Sequence, residues 1–140
     1  MALKLDDLTV GQEFEAIVVE NLTRTQIVQY AGASGDFNPL HTDEIFATTV
    51  AGYSSTIAHG MLTMGMTGHL VTDLVGDGHL ANFGGRFVGV VRPGDTLTAR
   101  ATIVRIGASE DDSLVELSLA TSNQHGDNVF AGYAMARVAR

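Results

Sequence analysis

The stretch AHGMLTMGMTGHLVTDLVG, residues 58–76, decides the fold class. Apolar side chains recur in it at every fourth position and predict a helix that ends at Gly76, about 25 Å long at 1.5 Å per residue. These side chains are Leu62, Met66, Leu70 and Leu74. Gly65 and Gly68 each cost such a helix about 1 kcal/mol relative to alanine. We interpret the two glycines as needed because a sheet wraps closely around the helix and would clash with larger side chains at these positions.

The sequence on both sides of this helix predicts β-strands. Four alternating apolar segments follow it: FGGRFVGVV (83–91), TLTARATIVRI (96–106), SLVELSLATSN (113–123) and NVFAGYAMARVAR (128–140). The turns RPGD, GASEDD and NQHGDN between them have hairpin lengths, so we expect an antiparallel meander. An early strand over residues 14–19 completes the sheet. The fold class is therefore α+β, an antiparallel sheet wrapped around one long central helix.

Length and composition favour a small cytoplasmic enzyme. A chain of 140 residues fits one domain, residues 1–140, with a substantial core. The sequence contains no cysteine, which excludes thiol nucleophiles, thiolate metal sites and a disulfide framework. The first residues lack the apolar segment of a signal peptide, and no segment has the roughly 18 apolar residues of a membrane span.

The charge is acidic and unevenly distributed. The net charge is −8; residues 1–85 hold ten acids against two cations, whereas residues 86–140 hold six acids and six arginines. Nucleic acid is therefore a poor partner. The arginines either gather into a phosphate-binding patch or are solvated residues of strand edges. They are Arg86, Arg92, Arg100, Arg105, Arg137 and Arg140.

The stretch SGDFNPLH, residues 34–41, contains an acid and an imidazole five positions apart. Neither a helix nor a strand brings side chains at that spacing together, so a bend is needed. Asn38 and Pro39 supply it, because proline restricts itself and its predecessor and asparagine bonds to nearby backbone. Asp36 and His41 can then share one water molecule as an acid-base pair. The alternative is purely structural: Asp36 caps a helix, Asn38 makes an Asx turn, and His41 is an ordinary junction residue.

Metal sites and a serine triad have little support in the sequence. A calcium loop that begins at Asp36 would place Leu40, His41 and Ala47 where it needs an oxygen ligand, a glycine and a glutamate. A zinc site lacks a third ligand at suitable spacing, so we expect no metal. No serine lies in a nucleophile turn. His69, His79 and His125 follow no useful pattern.

Gly60 opens the predicted helix. Free backbone N–H groups at a helix N-terminus can stabilise a developing oxyanion, and glycine permits close approach. The alternative is an ordinary glycine at a helix start. His59 by itself is more typical of a packed histidine than of a catalyst.

Three stretches resemble the MaoC-like hydratase/dehydratase family, the R-specific enoyl-CoA hydratases. They are YAGASGDFNPLHTDEIFA (30–47), AHGM (58–61) and GGRFVGVVRPGDTL (84–97), so the resemblance covers most of the chain. Two departures are Ala33 and the segment GYSST (52–56), and the second leaves the shape of the acyl pocket open. Within the family the motifs are most similar to those of 3-hydroxyacyl-carrier-protein dehydratases of the mycolic acid pathway.

The resemblance implies the hotdog fold, dimers that join two sheets back to back, and a set of site residues. Catalytic roles fall on Asp36, His41, Asn38 and Gly60, with Gly60 as the oxyanion donor. Substrate-binding roles fall on Ser34, His59, Arg86 and Arg92. The implied reaction is reversible syn hydration of a trans-2-enoyl thioester to the (R)-3-hydroxyacyl thioester, without a cofactor.

Several alternatives stay open at this point. The chain could be a non-catalytic acyl-binding subunit of a heterodimeric dehydratase, or, with less support, a hotdog thioesterase. We expect a homodimer, with a heterodimer as the alternative assembly. The substrate is carried by coenzyme A or by acyl carrier protein. The net charge of −8 favours coenzyme A, because acyl carrier proteins are acidic and like charges repel.

Overall fold

The computed structural model describes residues 2–108 and 110–140 as a five-stranded antiparallel sheet with two α-helices. The strands are β1 (Glu13–Val19), β2 (Leu80–Phe87), β3 (Leu97–Ala108), β4 (Asp111–Ser122) and β5 (Asn128–Arg137). The helices are α1 (Arg24–Ser34) and α2 (Gly60–Val75). The predicted α+β class and the long central helix are confirmed. Within the described ranges, no helix combines the length and the apolar character that crossing a membrane requires.

The strand order is β1-β3-β4-β5-β2, which corrects one part of the predicted topology. The meander is right for β3, β4 and β5 but wrong for β2, which pairs with β5 and not with β3. β1 pairs with the other side of β3, so residues 88–96 cross from β2 at one edge of the sheet to β3, the strand beside the opposite edge. The turn at RPGD exists, with Asp95 N–H donating to Arg92 O, but it lies within this crossing.

The core lies between α2 and the concave face of the sheet. The predicted alternation in β3 and β4 is confirmed, because their inward side chains are buried. These are Leu97, Ala99, Ala101, Ile103, Val115, Leu117 and Leu119. On α2 the fully buried stripe is displaced by one position from the predicted one. It consists of Thr63, Thr67, Val71 and Val75. Of the predicted side chains, Leu70 is buried, whereas Leu62, Met66 and Leu74 are only partly buried.

Threonine at two of the buried positions hid this stripe from a search for apolar periodicity. The Thr67 hydroxyl donates to Thr63 O at 3.0 Å and lies 2.5 Å from Thr121 Oγ1 of β4, which donates to it. The hydroxyls of Thr67 and Thr121 therefore have partners inside the core, which removes most of the cost of burying them.

The two glycines inside α2 have different surroundings. A Cβ at Gly68 would lie 2.9 Å from Cε1 of Phe83 in β2, so the sheet does approach the helix closely there. Gly65 faces outward, and a Cβ at that position would meet no described atom within 4 Å. The predicted reason for the glycines therefore holds for Gly68 and is wrong for Gly65.

This difference gives a matched pair of stability variants. Gly65→Ala should raise the free energy of unfolding by about 1 kcal/mol, the usual gain in a helix interior. Gly68→Ala should lose that gain, because overpacking against the Phe83 ring typically costs about 1–3 kcal/mol. Urea unfolding of both variants and the wild type measures the difference, and equal stabilisation by the two alanines would contradict the close approach at Gly68.

Candidate active site

The loop that follows α1 is built by local side-chain bonds to its own backbone. The helix ends at Gly35, whose φ of 75° is left-handed. Ser34 Oγ then accepts a hydrogen bond from Asp36 N–H at 3.2 Å. Asp36 Oδ1 accepts from Asn38 N–H at 3.2 Å, and Asn38 Oδ1 accepts from Leu40 N–H at 3.1 Å. The Asx turn considered as an alternative is thus present, and it shapes the bend that the acid-base interpretation needs.

The bend brings Asp36 and His41 together. His41 ends the short 3-10 turn Pro39–His41, and its Nδ1 lies 2.7 Å from the carbonyl oxygen of Ile57. Since a carbonyl only accepts, Nδ1 carries the proton and Nε2 presents a lone pair. Nε2 lies 3.8 Å from Asp36 Oδ2. The His41 side chain is 9% exposed and that of Asp36 is 53% exposed, so the pair spans the boundary between protein and solvent.

The gap between these two atoms suits a shared water. At 3.8 Å it is too long for a direct hydrogen bond, which needs about 2.7–3.2 Å. One water about 2.8 Å from each atom can donate an O–H to both. The geometry therefore matches the predicted acid-base pair.

His59 lies behind His41 and not in the cleft. Its ring is stacked on that of His41, with centroids 3.6 Å apart and an interplanar angle of 20°. Its Nε2 donates to the carbonyl oxygen of Asp36 at 3.0 Å, and the residue is 2% exposed. This burial speaks against the substrate-binding role that the resemblance implies for His59.

The fold brings a third candidate metal ligand, His59, next to Asp36 and His41, although the sequence spacing showed none. Ligand atoms of Asp36, His41 and His59 lie within 4.8 Å of one another. An imidazole binds a metal in its ring plane, however, and two nearly parallel rings 3.6 Å apart have no in-plane position in common. In addition, His41 Nδ1 and His59 Nε2 already form hydrogen bonds with backbone carbonyl groups. These residues in this arrangement are poorly placed to hold one ion.

Gly60 and His41 line the same cleft, which has a volume of about 400 Å³. The rest of its wall is mainly apolar and includes Thr63, Phe87, Val91 and Val129. Gly60 is the first residue of α2, and a Cβ there would lie 2.8 Å from Cδ2 of Phe87. Any larger residue at position 60 would displace the Phe87 ring. The Gly60 N–H lies at the N-terminus of α2, the end of a helix that stabilises negative charge.

A polar network holds the segment that carries the Ile57 carbonyl. Arg24 Nη1 donates to Glu44 Oε2 at 2.6 Å and to Thr56 Oγ1 at 2.8 Å. Thr56 N–H also donates to Glu44 Oε2 at 3.3 Å. The hydrogen bond from Arg24, followed by that from Thr56 N–H, holds the pKa of Glu44 below its ordinary value of 4.5. The network therefore ties the start of α1 to the residue before Ile57.

A group with a lowered pKa stabilises the fold above its ordinary pKa and loses this contribution as pH falls through the lowered value. Glu44→Gln should therefore lower the melting temperature at pH 7, and the gap to wild type should close in acid as the native Glu44 is protonated. Thermal unfolding from pH 7 to pH 3 checks this. Glu20→Gln is the matched control, since Glu20 forms no ion pair among the described residues. A gap that stays constant with pH would contradict the ion-pair origin.

Three of the six arginines considered for a phosphate-binding patch form ion pairs. Arg100 binds Glu15, Arg105 binds Glu116, and Arg137 lies near Asp111. These pairs cross neighbouring strands or strand ends. The alternative interpretation, arginines as solvated strand residues, is therefore the better one for these three.

Arg86 and Arg92 lie in different places relative to the cleft. The rings of Phe83 and Phe87 point toward α2, so Arg86, next to Phe87 in the alternating strand, points to the outer face. It lines a separate groove there with Tyr133. Arg92 follows the cleft residue Val91, and its Nε donates to Ser54 Oγ at 3.2 Å. Only Arg92 remains a candidate for contact with a ligand in this cleft.

Sequence reasoning missed the main-chain partner of His41 and two residues of the cleft wall. A carbonyl such as that of Ile57 has no signal in the sequence, because every residue has one. Thr63 could have been found one turn after Gly60 on the predicted helix. Phe87 could not, since its contact with Gly60 depends on the pairing of β2 with β5.

The chain belongs to the family of the MaoC like domain, whose model matches residues 7–125. It is 37% identical over 100 residues to an (R)-specific enoyl-CoA hydratase of Rhodospirillum rubrum, covering 70% of this chain and 67% of that protein. It is 40% identical over 93 residues to the enoyl-CoA hydratase ChsH3 of Mycobacterium tuberculosis, covering 60% of this chain and 32% of that protein. The chain thus spans a third or less of the length of several relatives it matches.

Solved structures agree with the family assignment. The unliganded R-hydratase PhaJ1 from Pseudomonas aeruginosa superimposes with a TM-score of 0.87 at 26% identity, covering 99% of this chain and 88% of that one. The hotdog fold implied by the resemblance is confirmed.

Proposed function

We propose that the chain catalyses reversible syn hydration of trans-2-enoyl thioesters to (R)-3-hydroxyacyl thioesters. The observation that carries the proposal is the separation of 3.8 Å between His41 Nε2 and Asp36 Oδ2, beside a cleft that His41 and Gly60 both line. The names of its relatives, (R)-specific enoyl-CoA hydratase and 3-hydroxyacyl-thioester dehydratase, support this reaction class. Asn38 contributes by holding the bend.

In this mechanism the pair moves one proton. Water held by Asp36 and His41 adds its oxygen to the β-carbon and gives up a proton to the pair, which delivers a proton to the α-carbon on the same face. The water supplies both groups that are added, so the pair ends in its starting protonation state. Since Nδ1 of His41 is held by Ile57 O, proton transfer takes place at Nε2.

Charge that develops during this addition needs a donor at the thioester oxygen. When water attacks the β-carbon, electron density moves to that oxygen as an enolate. The N–H of Gly60 at the start of α2 is available for it, because none of the hydrogen bonds among the described residues uses this N–H. A preorganised donor of this kind commonly contributes about 10²–10³ in rate. No cofactor is needed for this chemistry, and acyl-CoA or acyl carrier protein acts as substrate.

The rival functions make different demands on the site. A non-catalytic acyl-binding subunit needs the cleft but not the Asp36 and His41 pair with its fixed tautomer. A thioesterase needs water aimed at the thioester carbonyl, whereas the 3.8 Å gap between Asp36 and His41 suits a water held by that pair, with the Gly60 N–H left for the thioester oxygen. The paired geometry therefore favours hydration.

Purified wild type should remove the absorbance of the conjugated thioester of crotonyl-CoA without releasing thiol. Asp36→Asn and His41→Ala should each reduce kcat by at least about 10²-fold, because each removes one member of the acid-base pair. Circular dichroism checks that both variants are folded.

Folded variants that hydrate at the wild-type rate would end this proposal. Thiol release by the wild type would indicate a thioesterase, and tight binding without either signal would indicate an acyl-binding subunit.

We also propose that residues 1–140 act as one MaoC-like domain that forms a homodimer. Strand β2 lies at one edge of the sheet and pairs only with β5. At its end Phe87 and Val88 are about half exposed. An unpaired edge with apolar side chains favours pairing with a second chain, and a heterodimer with a related chain would use the same edge.

For the carrier, we propose coenzyme A. On the same enoyl chain, kcat/KM should be higher for the CoA thioester than for the acyl-carrier-protein thioester, because the net charge of −8 repels an acidic carrier. Arg92→Ala should raise KM for CoA substrates and leave short pantetheine thioesters nearly unchanged. Steady-state kinetics on the three substrates tests this.

Arg86→Ala is the matched control for Arg92→Ala, since it removes the same charge from the outer face. A preference of more than about tenfold for the carrier-protein substrate, worth roughly 1.4 kcal/mol in the transition state, would show that the charge argument is wrong.

A further inference from the structure

The proposed reaction uses Asp36, His41 and Gly60 and leaves His59 without a task. His59 is nevertheless the N-cap residue of α2 and makes no side-chain cap hydrogen bond to that helix. It is 2% exposed, and its Nδ1 has no hydrogen-bond partner among the described residues. Leaving an acceptor buried without a partner costs free energy. A residue that served packing alone would avoid this cost by being apolar.

We propose that His59 is a positioning residue that sets the geometry of Asp36 and His41 with a single ring, an inference that rests on the hydratase function proposed above. Its Nε2–H holds the main chain of Asp36 by a 3.0 Å bond to the carbonyl oxygen. Its ring face holds the plane of His41 at a centroid distance of 3.6 Å. No other described side chain contacts both members of the pair in these two ways.

The two contacts restrict different motions. The Nε2 lone pair of His41 lies in the plane of its ring, so tilting the ring moves the lone pair away from Asp36 Oδ2. The bond from Nδ1 to Ile57 O fixes one point of the ring, and stacking on His59 restricts the tilt about that point. The bond to the Asp36 carbonyl restrains the other partner, whose carboxylate is half exposed and otherwise held mainly by the Asn38 N–H.

His59 is itself held from a third side. Tyr30 of α1 packs edge-on against its ring, with centroids 4.9 Å apart and an angle of 69°. The ring therefore connects α1, the start of α2 and the catalytic loop. A small displacement of reacting groups, about 1 Å, can cost about 10² in rate, so a side chain that never touches substrate can still control turnover.

Two variants separate the two contacts. His59→Phe keeps a ring for stacking but removes the donor to Asp36, whereas His59→Gln keeps an amide N–H near the position of Nε2 but removes the ring. We expect each to lower kcat on crotonyl-CoA by about 10- to 100-fold with KM changed by less than about twofold. In an Asp36→Asn background the same changes should have little further effect on kcat, because His59 acts through the pair.

A spectroscopic signal tests the inference independently of activity. In ¹⁵N-labelled wild type, the Nδ1–H of His41 should be visible and slow to exchange with water; His59→Phe or His59→Gln should speed its exchange, because a ring that is free to tilt opens its bond to Ile57 O more often. The backbone amide spectrum of each variant shows whether it is folded, and either folded variant is sufficient for the test. If the wild type lacks hydratase activity, the proposed function fails while the His41 signal still decides whether His59 positions that ring.

Three results would overturn the inference. One is an unchanged His41 signal with wild-type kcat in a folded variant. Another is a rise in KM at constant kcat, which would make His59 a substrate-binding residue. The third is a loss of kcat that is just as large in the Asp36→Asn background, which would mean that His59 acts apart from the pair.

Discussion

Burial of α2 in the concave face of the sheet is the constraint on which the rest of the structure depends. The buried stripe of the helix leaves no solvent between Thr67 and Thr121, or between Gly68 and Phe83. This contact fixes where the helix begins, and Gly60 at that point meets the ring of Phe87. The N-terminus of the helix thus opens into a cleft. Part of the wall of this cleft is formed by Phe87 at the end of β2 and by the residues that follow it. Packing alone therefore places a helix N-terminus, which favours negative charge, at this cleft.

The proposed acid-base pair depends on a second, smaller constraint. Residues 35–41 form no regular element long enough to hold Asp36 and His41 in place, so the loop relies on bonds between short polar side chains and its own backbone. These bonds set the bend, but they do not orient the imidazole. Orientation comes from elsewhere: the Ile57 carbonyl defines the protonated nitrogen, and the network of Arg24, Glu44 and Thr56 holds the segment that bears this carbonyl.

The helix, the strands and the bend could be predicted from the sequence, because each depends on local chemistry. Periodicity located α2, alternation located β3 and β4, and Asn38 with Pro39 marked the point where the chain turns. The features that could not be predicted depend on contacts between residues distant in the sequence. The pairing of β2 with β5 follows from β1 occupying the edge of β3. The outward direction of Arg86 depends on the packing of its strand against α2. The burial of His59 and the role of the Ile57 carbonyl depend on contacts with Tyr30, Asp36 and His41.

The distribution of charge completes the relation between fold and site. Three of the six arginines in the second half of the chain are paired with acids on the sheet or at strand ends, so their charge is neutralised where it lies. Arg24 is engaged by Glu44 beside the catalytic loop. The cleft is left with an apolar wall and with Arg92 near its margin. The Arg92 guanidinium donates to the neutral hydroxyl of Ser54 and forms no ion pair among the described residues. In the proposed hydration, the apolar wall strengthens the interaction of the Gly60 N–H with the developing oxyanion, and Arg92 at the margin is the proposed contact for a phosphate of the carrier.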